Sequence, residues 1–187
     1  MRLENLNREE IRRVYEERMK EDFPPNELKP LSMLYDGLDQ GRYICFGLKE
    51  KENIIGYCYL LKNGDDYLID YLAIYPDRRN HGLGGKTLES VSDYLAKEGA
   101  RSIIGEVENP EFATSEEERH LQTRRFGFYM RNGFRDTGVK VECFKAHFIM
   151  IETGKDLVHS KEEIRELYAM HLKSILTKEK FEENVFI

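Results

Sequence analysis

Arg79-Asn80-His81-Gly82-Leu83-Gly84-Gly85-Lys86 stands between an apolar run, Tyr67 to Tyr75, and an amphipathic one, Thr87 to Lys97. A basic, glycine-rich turn joining a strand to a helix presents backbone N–H groups and a positive helix end to an anion, most often a phosphate. Upstream, Tyr43 to Lys49, Asn53 to Lys62 and Asp66 to Tyr75 are rich in β-branched and aromatic residues. The links Glu50-Lys51-Glu52 and Asn63-Gly64-Asp65 between them are short enough for an antiparallel meander. Downstream, Leu88, Val91 and Leu95 mark one helix face that ends at Gly99, and Ser102 to Val107 reads as another strand. Strand, helix, strand in that order implies a right-handed parallel crossover.

The flanks carry helix signals. Asn7-Arg8-Glu9-Glu10 places an N-cap three residues ahead of a carboxylate, and Ile11, Val14, Tyr15 and Met19 follow at helical spacing until Pro24-Pro25. A short helix carries Leu31, Leu34, Tyr35 and Leu38 and stops at Gly41. After an acidic segment, Glu108 to Glu118, the Ser115-Glu116-Glu117-Glu118 capping box opens a helix to about Asn132, ended by Gly133. Phe134 to Asp136 and Val141 to Ile151 read as the last strands. Ser160-Lys161-Glu162-Glu163 then caps a final helix with Ile164, Leu167, Tyr168, Leu172, Ile175 and Leu176 along one stripe. The order ααβββ-α-β-α-ββ-α describes one α+β domain, its last helix either docked on it or mediating a homodimer.

A chain of 187 residues, 40% hydrophobic and 34% charged, suits one soluble domain with a sizeable core. Its net charge of −6, with scattered Lys and Arg, argues against nucleic acid or an anionic membrane as partner. Cys45, Cys58 and Cys143 lie in strand-like apolar runs, as buried thiols of a cytoplasmic protein would. No CxxC or clustered His/Cys spacing suggests a metal site, and no signal peptide or membrane-spanning run is read.

Two phosphate-binding patterns compete for the loop. Gly85-Lys86-Thr87 matches the end of a P-loop, but that motif's first glycine falls on Asn80, and P-loop folds need a parallel sheet. The other pattern, (Arg/Gln)-x-x-Gly-x-(Gly/Ala), is filled by Arg79, Gly82 and Gly84. Leu72-Ala73-Ile74-x-Pro76 ahead of it and Phe128-Tyr129-x-x-x-Gly133-Phe134 beyond it complete the set. Here the chain resembles the GNAT superfamily of acyl-CoA-dependent N-acetyltransferases, over roughly residues 8 to 152.

The resemblance implies the GNAT fold, a mixed-sheet α/β sandwich with an antiparallel meander and a βαβ crossover. Residues 1–152 would form that domain and 153–187 its C-terminal helical extension. It also implies acetyl-CoA as donor, with Arg79, Asn80, His81, Gly82, Leu83, Gly84, Gly85 and Lys86 at the diphosphate. Arg78, Arg79, His81 and Lys86 would add cations for its oxygens or the 3′-phosphate. In the family the fourth and fifth strands splay around the pantetheine arm, which puts Leu72, Ala73 and Ile74 beside the thioester. An N–H of Ile74 or Leu72 could then stabilise the oxyanion.

By the same resemblance Tyr129 would protonate the departing thiolate; its competing reading is core, among Phe126, Phe128 and Met130. The family's fourth-strand glutamate has no counterpart, because Leu68 stands there. Asp70 projects to the same face if the strand is regular, and Glu106 on the next strand and Glu108 at its end also point toward an incoming substrate. Asp70 and Glu106 are therefore the candidate bases. Each could instead form a buried ion pair with Arg124, Arg125 or Arg131, and a water relay needs neither. The acids at 108, 111, 116, 117 and 118 read either as a lid for a cationic amine or as helix capping. Tyr15, Phe23 and Tyr35 sit at core spacing on helices that wall the acceptor site in the family. The expected activity is acetyl transfer from acetyl-CoA to a primary amine of a small molecule or peptide by direct attack, without a metal. A non-catalytic acyl-CoA sensor and, less favoured, a P-loop nucleotide-binding protein are the alternatives.

Overall fold

Aromatic and β-branched residues recur from Tyr43 to Ile74, and that stretch becomes three long antiparallel strands in the computed structural model. The structure describes residues 1–25, 27–154, 159–172 and 176–187; Ile175, assigned above to the last helical stripe, lies outside them. The chain divides into two compact units, residues Met1–Gly99 and Ala100–Ile187.

In the first unit, β1 (Arg2–Asn5), β2 (Tyr43–Glu50), β3 (Asn53–Asn63) and β4 (Asp66–Ile74) form an antiparallel sheet in sequence order. β3 is buried on both faces, with Tyr57, Cys58, Tyr59 and Leu60 wholly inaccessible, so it reads as a continuous apolar run. The capping box at Asn7 forms: Glu10 N donates to Asn7 Oδ1 at 2.9 Å and Asn7 N to Glu10 Oε2 at 3.0 Å. It starts α1 (Arg8–Val14), which passes through a π-helical turn (Tyr15–Met19) into α2 (Lys20–Asp22). α3 (Leu31–Asp39) and α4 (Leu83–Lys97) complete the unit, α4 burying Leu88, Val91 and Leu95.

The second unit holds a sheet ordered β5 (Ser102–Glu108), β7 (Ala146–Gly154), β6 (Arg135–Cys143) and β8 (Val185–Phe186). The helices are α5 (Glu116–Arg131), α6 (Lys161–Leu172) and α7 (Lys178–Asn184).

Three sequence-based boundaries need correction. Val141 to Ile151 is not one strand: β6 and β7 form a hairpin in which Cys143 pairs with Ala146 across Phe144 and Lys145, at φ 50° and 67°. Neither residue type favours a left-handed turn, so no turn signal marked it. The charged N-terminus supplies β1, which pairs with β2 from Arg2↔Lys49 to Asn5↔Phe46. The final helical region holds two helices and a closing strand, because Thr177 caps a new helix with its hydroxyl accepting from Lys180 N at 3.3 Å.

Candidate active site

At the donor loop, β4 delivers the chain through Tyr75, whose N–H donates to Ile55 O at 3.0 Å, into a 3-10 turn at Pro76–Arg78. Asn80 (φ 65°) and Gly82 (φ 72°) are both left-handed, and the first intrahelical bond of α4 runs from Lys86 N to Gly82 O at 3.2 Å. The N–H groups of Leu83, Gly84 and Gly85 thus have no acceptor inside the helix. The N-cap residue of this 15-residue helix, Gly82, has no side chain to close its end, and a Cβ there would meet nothing within 4 Å. Uncapped amides, an open approach and a partial positive charge suit an anion with several oxygens, as a diphosphate is.

Arg79, the first residue of the motif, is tied to the protein on two sides. Its Nε donates to Ile74 O at 2.8 Å and its Nη2 to Asp22 Oδ1 at 3.0 Å. Asp22, with its side chain 6% exposed, also receives Arg18 Nη2 at 3.3 Å and Tyr57 OH at 2.9 Å. Arg79 therefore braces the loop against the exit of β4 and the end of α2. Arg78 is paired with Glu50 at 3.1 Å, while His81 and Lys86 are exposed. Leu72, Ala73 and Ile74 are half-buried and pair with Cys58, Tyr57 and Gly56 of β3.

Asp70 sits at an irregularity. Pairing runs Leu60↔Ile69 and then Tyr59↔Tyr71, so Asp70 is the extra residue of a β-bulge. The regular alternation on which its projection depended is broken there. Its carboxylate is almost fully buried, paired with Lys29 Nζ at 2.6 Å and accepting from the Tyr43 hydroxyl. Burial first, then the Asp70 charge, holds the Tyr43 phenol protonated far above its ordinary range. Lys29 is itself held: its N–H donates to Tyr71 OH at 2.9 Å, and its ammonium lies 5.3 Å from the Tyr71 ring centroid. Lys29 is thus a cation at Asp70 that was not named from sequence. Nothing in the sequence pairs residues 41 apart.

The helices read as possible acceptor walls mostly serve structure. Tyr15 OH donates to Lys29 O at 3.0 Å, Tyr35 OH to Arg8 O at 2.9 Å, and Phe23 meets the Tyr71 ring edge-on at 4.9 Å.

In the second unit, Tyr129 lies near the end of α5, 8% exposed, its ring meeting those of Phe128 and Phe134 at 5.1 and 5.3 Å. The chain folds back around it, since Tyr129 O accepts from Asn132 N at 3.0 Å and Phe134 N at 3.2 Å. Glu106, half-buried on β5, accepts a hydrogen bond from the hydroxyl of Tyr168, a buried residue of α6. Sequence reading placed Tyr168 on an apolar stripe and missed this contact. A polar tip on a buried aromatic was the available signal. The acidic segment is consumed locally: Glu108 pairs with Arg125, Glu111 with Lys140 at 2.7 Å, and Glu116 with Arg119 at 3.3 Å. Glu118 accepts from Thr114 N at 2.7 Å and from its hydroxyl at 2.6 Å, which holds its carboxyl below the usual range. Among the described residues no group of three or more His, Cys, Asp or Glu side chains is disposed to hold a metal ion, and no helix is long and apolar enough to cross a membrane.

The family model for GNAT acetyltransferases matches residues 8–134, and the chain belongs to that family. Curated proteins offer no match. Among solved structures, a Bacteroides thetaiotaomicron protein described as a GNAT-family acetyltransferase superposes with a TM-score of 0.68 at 24% identity, covering 94% of this chain and 97% of its own. The ribosomal-protein-S18-alanine N-acetyltransferase of Escherichia coli does so with a TM-score of 0.61 at 18% identity, covering 84% and 99%. A GNAT acetyltransferase of Elizabethkingia anophelis with acetyl-CoA bound gives 0.54 at 14% identity, covering 82% and 97%. These likenesses establish the α+β GNAT fold expected from the sequence. They also remove the P-loop alternative, consistent with a loop fed by a strand antiparallel to its neighbour.

Proposed function

We propose that this protein transfers an acetyl group from acetyl-CoA directly to a primary amine, within a GNAT domain of residues 1–152 extended by residues 153–187. The observation that carries the donor side is the uncapped start of α4, approached through left-handed backbone at Asn80 and Gly82. Residues 80–86 cradle the diphosphate of the donor, with Arg79 fixing the loop and Lys86 and His81 offering exposed cations. Leu72, Ala73 and Ile74 lie along the acyl-bearing arm.

An ammonium has no lone pair, so one proton must leave before attack. Of the two candidate carboxylates Glu106 takes it in this reading, because Asp70 is already ion-paired with Lys29 and hydrogen-bonded by Tyr43. The freed nitrogen attacks the thioester carbon while an N–H of Ile74 or Leu72 donates to the developing oxyanion. The C–S bond then breaks as Tyr129 gives its proton to sulfur, and the phenolate regains a proton from the nitrogen. The nitrogen keeps one hydrogen in the amide, the thiol leaves protonated, and Glu106 returns its proton to solvent. Neither buried thiol acts as a nucleophile: burial pushes Cys58 up to about 12 and Cys45 higher still. Those protonated buried thiols favour a reducing, cytoplasmic setting.

The test is release of free thiol from acetyl-CoA across a panel of polyamines, amino sugars, amino acids and peptides. Amine-dependent release supports transfer. Acetyl-CoA binding without release under any amine would favour a non-catalytic acyl-CoA sensor.

A further inference from the structure

The C-terminal helix lies beyond the segment matched by the family, yet it reaches the candidate base. Ile104, Glu106, Met150 and Glu152 lie on one face of the β5–β7 pair, since Ile104 opposes Glu152 and Glu106 opposes Met150. α6 packs on this face and is secured at its start. Glu152, wholly buried, accepts from His159 N at 3.1 Å and from His159 Nδ1 at 2.5 Å, with Arg135 Nε at 3.0 Å on its other oxygen. Arg101 Nη2 lies 3.2 Å from His159 Nε2. A guanidinium only donates, so Nε2 is the acceptor and Nδ1 carries the proton given to Glu152. The tautomer is fixed from both sides, and the entry to α6 is fixed with it. Ser160 and Glu163 then close the capping box, Glu163 N donating to Ser160 Oγ at 3.2 Å and Ser160 N to Glu163 Oε2 at 2.8 Å.

From this anchored start, Ile164, Leu167 and Tyr168 face inward. The Tyr168 hydroxyl meets Glu106 Oε2, with Met150 Sδ 3.7 Å away. We infer that Tyr168 is a positioning residue for the transfer reaction: its hydroxyl holds the Glu106 carboxylate in one rotamer, so that the C-terminal extension completes the active site. The inference rests on the amine-acetylation reading and on Glu106 as the base. A hydrogen bond donated to one carboxylate oxygen fixes the orientation of the whole group. Tyr168 can serve only as donor there, because burial and the neighbouring Glu106 charge hold its own proton tightly. Phenylalanine would fill the space equally well, so packing alone does not require the hydroxyl.

The experiment is a double-mutant cycle in the full chain, using an amine that the wild type acetylates. Tyr168→Phe is expected to lower kcat about 10- to 100-fold with the KM for acetyl-CoA within twofold. Glu106→Gln should lower kcat at least as far, and adding Tyr168→Phe to it should change kcat by less than twofold. A purely structural role would give multiplying losses, or a loss carried by the acetyl-CoA KM. Either result overturns the inference, as does an unchanged kcat for Tyr168→Phe. Should that variant fail to fold, 3,5-difluorotyrosine introduced at position 168 keeps the hydroxyl and strengthens it as a donor. A kcat that then moves at constant KM supports the inference, and an unmoved one overturns it. Absence of turnover by the wild type with every amine removes both this inference and the reaction on which it rests. Turnover by the wild type with an insensitive Tyr168→Phe removes this one alone.

Discussion

Tyr129 and Arg79 are each singled out by a motif, and for each the structure adds partners that the motif does not name. Removing the Tyr129 hydroxyl takes away a proton donor but little packing, since the ring contacts with Phe128 and Phe134 survive in phenylalanine. Tyr129→Phe is expected to reduce kcat by roughly 100-fold or more, the usual worth of a positioned general acid. Acetyl-CoA affinity, read by isothermal calorimetry, should stay unchanged. Arg79 was legible as a loop residue because glycines and charges adjoin it in sequence. Its actual partners, Ile74 O and Asp22, were not: Asp22 is 57 residues away, and only the fold makes them neighbours. Asp70 is a different case. Its face was deduced from a period of two, and one inserted residue in the β3–β4 ladder defeats that arithmetic.

Helices and their ends were the most readable elements, because capping is local chemistry. Ser115 and Ser160 both accept from the N–H three residues on, as their spacing implied. At α4 the cap is a glycine, and its conformation matters more than its size. Gly82→Ala is expected to cost about 1 kcal/mol, since L-residues disfavour positive φ by that order; it should also weaken acetyl-CoA binding by placing a methyl group on the open side. Chemical denaturation and calorimetry separate the two effects. α1 carries a pH-sensitive tie: Glu10 Oε1 accepts from Lys49 Nζ at 2.6 Å, and this bond holds the Glu10 carboxyl below its usual range. The folded pKa is depressed, so the contribution is full above the unfolded value of about 4.3 and fades as pH falls through the folded one. Glu10→Gln should therefore flatten the decline of Tm below about pH 5 that the wild type shows. An equally steep decline in the variant would assign the acid sensitivity elsewhere. The elements hardest to read were β1 and β8, short edge strands whose residues carry no apolar alternation and exist through pairing.

For the whole molecule, ligand linkage gives the broadest check. Acetyl-CoA at about 100 times its Kd should add roughly 2.7 kcal/mol. In a chain of 187 residues this corresponds to a Tm rise of about 5 to 10 °C. ATP with magnesium should produce no such rise, and equal shifts by both would count against a site built for coenzyme A. The global architecture was legible because three motifs fell in the right order with the right elements between them. What stayed hidden was the use of the C-terminal segment, whose stripe of Ile164, Leu167 and Tyr168 reads as simple packing until Glu106 is seen against Tyr168 and Glu152 against His159.

The hairpin tip at Phe144 and Lys145 has a practical consequence. Both residues adopt a backbone conformation suited to asparagine and glycine, and the Phe144 ring is 52% exposed. The pair Phe144→Asn with Lys145→Gly should relieve roughly 1 kcal/mol of turn strain and delay melting by a few degrees. No residue assigned to chemistry lies there, so this loop is a convenient handle for building a hardier background in which damaging active-site variants can still be purified and assayed.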